Sequence, residues 1–181
     1  MKTLALLCIA AMFPLLAQAD PAAARKERDD LVKRGLWKEA LDHYREKLLP
    51  ISDAESGKDL QQAVQSLAQL NEWKSFDPLV EDAATRHPAN TQLLIAAAQA
   101  YQSVPHSGRL IAGDFERTPG HWWGGRRGGP DAVPGANAGA HVDTTYRDRI
   151  RSLQLIRQAL ATSNNDTEKS AIWQATAAIL Q

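Results

Sequence analysis

From Pro21 to Val104 apolar residues return every three or four positions, and the pattern itself returns after 36 residues. Gly35-Leu36-Trp37-Lys38-Glu39-Ala40 followed by Tyr44 is echoed by Asn71-Glu72-Trp73-Lys74-Ser75-Phe76 followed by Val80. The short spacing belongs to amphipathic helices, and an echo at this period belongs to helix pairs that stack. One hairpin cannot bury its apolar stripe alone, so a neighbour has to cover it. Gly35 and Asn71 stand where each hairpin must turn, and both residue types tolerate a left-handed backbone. Pro88 closes a helix, and Asn90 is placed to cap the next one.

Within the echo, Leu60, Ala63, Val64 and Leu67 give an order of bulky, small, small and bulky that Leu94, Ala97, Ala98 and Tyr101 repeat. Ala40 with Tyr44 supplies the small and bulky pair of a second helix. In these features the chain resembles tetratricopeptide repeats, which implies an all-α fold of stacked antiparallel helical hairpins. Glu27, Arg28 and Phe76 occupy positions that are small in such repeats, which leaves an irregular helical bundle open. Trp37 and Trp73 are expected as core wedges rather than ligand platforms.

The first 19 residues carry Lys2, an apolar run from Leu4 to Leu16 and Ala17-Gln18-Ala19, the three-part pattern of a cleavable export signal. The run is interrupted by Pro14 and is shorter than the roughly 20 residues a membrane span needs. Cleavage after Ala19 leaves 162 residues with no cysteine, because Cys8 departs with the signal. Such a chain has no disulfide, no thiolate metal site and no cysteine nucleophile, so packing must hold it. With 21 basic and 21 acidic residues overall, no global field draws it to nucleic acid or to an anionic membrane. The expected location is the periplasm or the medium, and no membrane span is expected after the signal.

Periodicity stops between Val104 and His141. Five glycines within Gly120–Gly129, with Pro119, Pro130 and Pro134 around them, exclude regular helix over most of residues 105–142. Leu110, Ile111 and Phe115 are expected to anchor the start of this insertion, with Gly113 in a tight turn, and the pattern leaves a short strand or turn open there. A long insertion in a compact domain is a functional candidate. His106, His121 and His141 with nearby acids have metal-ligand chemistry but no spacing that sets a geometry. Arg126 and Arg127 beside Trp122 and Trp123 could meet phosphates and bases, which the neutral charge and export disfavour. Protein contact suits these four residues better, because Trp and Arg dominate buried interface patches. No nucleophile, base and orienting group stand at a readable spacing, so no enzyme activity and no cofactor are expected.

Residues 143–181 read as C-terminal helices. Asp143-Thr144-Thr145 can cap a helix with Ile150, Leu153, Ile156 and Leu160 on its apolar face, and Arg147, Asp148, Arg149, Arg151 and Arg157 on a solvated one. A break at Ser163–Asp166 precedes a last helix with Ile172, Trp173, Thr176, Ile179 and Leu180. The end at Gln181, directly after an apolar turn, is expected to be a truncation. The domain reading is a signal peptide at 1–19, helical hairpin repeats at 20–104, the insertion loop at 105–142 and C-terminal helices at 143–181.

Residues 101–113 (YQSVPHSGRLIAG), Asp114-Phe115-Glu116-Arg117, the Gly-Arg-rich loop and residues 147–160 (RDRIRSLQLIRQAL) together resemble the N-terminal helical region of large bacterial alpha-2-macroglobulin-like proteins. The resemblance implies that β-sandwich domains would follow in a longer chain and that peptidase inhibition would belong to the whole. The CxEQ thioester motif of that family is absent here. Three functions are therefore in view: an exported non-enzymatic helical module that binds a protein partner or downstream domains, a fragment of a peptidase inhibitor, and a metal-dependent hydrolase.

Overall fold

The computed structural model describes residues 20–118 and 140–180. Helix α1 (Pro21–Lys33) starts where the Asp20 carboxylate accepts the Ala22 N–H at 3.1 Å and Pro21 takes a position that needs no amide donor. It stops at Gly35, with φ of 72°, as the Leu36 N–H donates to the Leu31 carbonyl at 3.0 Å. Helix α3 (Ser56–Leu70) stops the same way, with Asn71 at φ 53° and the Glu72 N–H on the Leu67 carbonyl at 3.0 Å. The echo in the sequence is thus a repeated helix stop in which a left-handed residue satisfies the last carbonyls.

Between these stops, α2 (Trp37–His43) runs into a π-helical turn at Tyr44–Leu48. After the second stop a 3-10 turn (Trp73–Ser75) leads into α4 (Phe76–Arg86), and α5 (Thr91–Ser103) follows. Asn90 caps α5, its side-chain oxygen accepting the Leu93 N–H at 3.0 Å. Helices α6 (Thr145–Thr162) and α7 (Asp166–Leu180) complete a mostly helical bundle, seven helices among the described residues. Helix α5 is the central member: α3, α4, α6 and α7 all pack on it. The α3 crossing is close because Gly57 has no side chain, and a Cβ there would lie 2.6 Å from the Gln92 carbonyl oxygen.

The core holds Leu60, Ala63, Leu67, Val80, Leu94, Ala97 and Ala98, as the periodicity requires. Its buried aromatic residues are Tyr44, Phe76 and Tyr101, and the Phe76 ring meets Tyr101 edge to face at 5.2 Å. Trp37 and Trp73 are both half-buried, and of the two expected core wedges only Trp73 packs against the core among the described residues. Each stands two residues past a left-handed stop, where the chain has just begun its return. Trp73 packs on the margin of the core.

The all-α expectation is also corrected, because the described parts of residues 105–142 form strands rather than loop. Strands β1 (Ser107–Ile111), β2 (Asp114–Arg117) and β3 (Ala140–Asp143) make an antiparallel sheet in the order β2-β1-β3. Ile111 pairs with Asp114 across Ala112 and Gly113, whose φ values of 51° and 96° make a two-residue hairpin turn. Gly113 takes that conformation freely, whereas the Ala112 Cβ is crowded in it. Replacing Ala112 by Asn, which tolerates this backbone, is expected to stabilise the protein by roughly 1 kcal/mol in urea unfolding.

Leu110 and Ile111, expected as anchors, are 43% and 36% exposed. They lie at the hairpin's far end, and the sheet is held at its other end. The faces of the last two helices are corrected too. Helix α6 turns Asp148, Ser152, Leu155, Ile156 and Ala159 inward and leaves Ile150 and Leu160 exposed. Ser152 takes an inward place because it is small and donates to the Ala98 carbonyl at 3.0 Å. On α7, Ile172, Ala175 and Ile179 are buried, while Trp173 and Leu180 face solvent.

Candidate functional site

One buried side chain stands at the centre of the contact between the sheet and the bundle. Arg117, at the end of β2, has a guanidinium with no solvent exposure. Its Nε and Nη2 donate to Asp77 at 2.9 and 2.8 Å, and its Nη1 and Nη2 donate to Asp148 at 2.8 and 3.1 Å. Nη1 also donates to the Pro105 carbonyl at 2.7 Å. Two carboxylates gripping one planar fork satisfy a charge that would otherwise be prohibitive to bury. Asp77 lies in the first turn of α4 and Asp148 in the first turn of α6, where backbone N–H groups favour negative charge. The three segments that meet there are thus each suited to the sign they carry.

Asp148 is fully buried and also accepts from Thr144 Oγ1 at 2.8 Å and Arg147 Nη2 at 2.9 Å, with His106 Nδ1 at 2.9 Å. This corrects the expectation of a solvated charged face. Only Arg149 and Arg157 of that group lie exposed without a partner in the network, while Arg147 reaches Asp77 and Arg151 reaches Glu81. The Glu81 carboxylate accepts the Tyr101 hydroxyl at 2.8 Å, which extends the polar layer to α5.

Burial alone would raise the Asp148 carboxyl, but hydrogen bonds from Arg117, His106 and Thr144 outweigh it and hold the group far below the ordinary carboxylate range. Glu81 is lowered in the same way, with burial opposed by Arg151 and Tyr101. A carboxyl depressed in the folded state contributes stability above its unfolded value, about 4, and loses it as pH falls toward the folded value. The melting temperature is therefore expected to drop steeply below about pH 4 and to drop less steeply in an Asp148→Asn protein, as thermal melts by circular dichroism would read.

Phe115 completes the joint. Its ring lies over Gly108, where an added Cβ would come within 2.4 Å of the ring, and the guanidiniums of Arg147 and Arg117 stand 4.6 and 5.5 Å from its centroid. Beyond the joint, Thr118 donates its N–H to the Ser107 carbonyl at 3.0 Å, and Ala140 pairs with Leu110. The residues on either side of the 119–139 segment are therefore both fixed on β1.

Trp122, Trp123, Arg126 and Arg127, the expected contact residues, lie outside the described residues, as does His121. His106 faces Asp148, while the register of β1 with β3 puts His141 on the opposite face of the sheet, so these two histidines do not converge. Among the described residues no group of His, Cys, Asp and Glu is gathered as a metal site. No helix among them is long and apolar enough to cross a membrane.

A second buried pairing, missed in the sequence, ties α1 to α3. Arg25 donates to Asp59 and Asp53 at 2.8 Å each, and Arg28, itself buried, contacts Asp59. Arg28 and Asp59 are 31 residues apart, and only their polar character at inward helical positions marked them. No family model, characterised protein or solved structure matches the chain.

Proposed function

We propose that the protein is an exported, non-enzymatic helical module that binds another protein through the segment between β2 and β3. The observation that supports this reading is the rooting of that segment: Thr118 and Ala140 sit on one sheet that the buried Arg117 fixes to α4 and α6. Recognition segments are characteristically carried on rigid elements that hold both their ends. Trp122, Trp123, Arg126 and Arg127 are the assigned contact residues, since indole and guanidinium groups bury large areas at little cost in mobility.

Tetratricopeptide-like stacking is part of the same reading. Helices α3, α5 and α7 lie side by side, with a groove of about 320 Å³ lined by Lys58, Gln61, Gln99 and Gln174. Helix stops repeated at Gly35 and Asn71 suit a stack of like units.

The test is copurification from the exported fraction with the intact protein and with a variant carrying Trp122→Ala, Trp123→Ala, Arg126→Ala and Arg127→Ala. Loss of specific bound proteins at an unchanged unfolding midpoint is expected. Retention of the same proteins at the same strength would remove the site from consideration.

A further inference from the structure

The backbone of β1 alternates between its neighbours. The Ser107 carbonyl accepts from Thr118 on the β2 side, and the His106 carbonyl accepts from Thr144 on the β3 side. With Ile111 opposite Asp114, Leu110 opposite Phe115 and Arg109 opposite Glu116, that alternation turns Asp114 and Glu116 toward β1. It turns the N–H and C=O of Phe115 and Arg117 away from the sheet. Arg117 is buried by the bundle, which leaves Phe115 as the point where the edge can be reached. No described strand lies beyond β2.

Beside this edge runs an open groove of about 750 Å³. Leu49, Pro78, Leu79 and Phe115 give it an apolar lining, with Lys74 and Glu116 beside them, and its other charged residues are already paired, Arg45 with Asp42 and Arg86 with Asp82. The outward face of β2 carries Asp114 and Glu116, two residues apart and both exposed. An edge whose outward backbone groups meet no partner among the described residues accepts an extended chain, and its side chains choose which one.

We propose that the outer edge of β2 is a docking site for an extended strand of another protein that carries basic residues at alternate positions. Its basic residues would stand opposite Asp114 and Glu116, and its intervening apolar residues would enter the groove over Phe115, Pro78 and Leu79. Opposite charges facing across strands are favourable, and β1 already sets Arg109 opposite Glu116. A second copy is the wrong occupant. Antiparallel pairing of two β2 strands about Phe115 would bring Asp114 and Glu116 of each against Glu116 and Asp114 of the other, gathering four carboxylates.

The test uses the isotopically labelled protein with two capped pentapeptides, Lys-Val-Lys-Val-Lys and Glu-Val-Glu-Val-Glu. The basic peptide is expected to give saturable amide shifts centred on β2. It should slow hydrogen exchange at the Phe115 amide at least fivefold while leaving the amides of Asp114 and Glu116, already bonded to β1, little changed. The acidic peptide should do neither. An Asp114→Lys, Glu116→Lys protein that also carries Arg109→Glu, so that the cross-strand pair keeps opposite charges, should reverse the preference. Equal response to both peptides, shifts centred elsewhere, or an unreversed preference in the variant would each overturn the proposal. So would strand pairing between copies, seen as dimerisation at the concentrations used.

Discussion

An Arg117→Met protein is expected to lose about 3–5 kcal/mol of stability in urea unfolding. The loss has a specific origin. Methionine matches much of the volume of the arginine stem but leaves Asp148, which has no solvent exposure, without its buried guanidinium and with only the half-exposed one of Arg147. Asp77, a quarter exposed, can recover some hydration, so the damage centres on Asp148. Adding Asp148→Asn to the methionine protein should therefore restore part of the loss, whereas Asp148→Asn alone should destabilise. A strongly non-additive pair of this kind is what a shared buried network predicts, and simple additivity would show that the two side chains act independently.

Phe76→Ala is expected to cost a similar amount, about 3–5 kcal/mol, through the cavity it opens. The ring is fully buried, meets Tyr101 edge to face, and lies under the Arg117 guanidinium at 5.2 Å. It joins the apolar core to the polar joint. Phe76→Leu should retain more than half of the stability, since a branched aliphatic side chain refills most of the space but offers no ring to Tyr101 or Arg117. Equal losses for alanine and leucine would mean that the ring contacts, and not the volume, dominate.

The helical part was legible because its signals are local. Gly35, Asn71 and Asn90 act through their own backbone and near neighbours, and the helix stops and cap stand where those residues indicated. The inward faces of α6 and α7 were less legible. Counting apolar residues put Ile150 and Leu160 inside, but Asp148 and Ser152 take those inward positions because each finds partners from distant segments. Those partners, Arg117 and the Ala98 carbonyl, are 31 and 54 residues away, and no local pattern announces such a pairing.

The sheet was half legible. Gly113 signalled a turn, and Asp114-Phe115-Glu116-Arg117 alternates as a half-buried strand does. What hid it was the exposure of Leu110 and Ile111, because strands that project past a bundle keep apolar residues in solvent where no periodicity argument puts them. Arg117 was overlooked for the opposite reason. A charged residue at the end of a strand reads as surface unless its partners are known, and the only sequence sign was the presence of acids in the first turns of two helices, Asp77 and Asp148.

The grip of Arg117 on both Asp77 and Asp148 also fixes an order of assembly. Its contacts span 40 and 31 residues, against the short separations within the helical hairpins, so they form only after nearer contacts have lowered the entropy of closure. The hairpins before residue 104 can collapse early, while β2 waits for the first turns of both α4 and α6. During synthesis, a nascent chain that has emerged only through β2 would hold Arg117 with one of its two acids, and the sheet would lock when the start of α6 arrives.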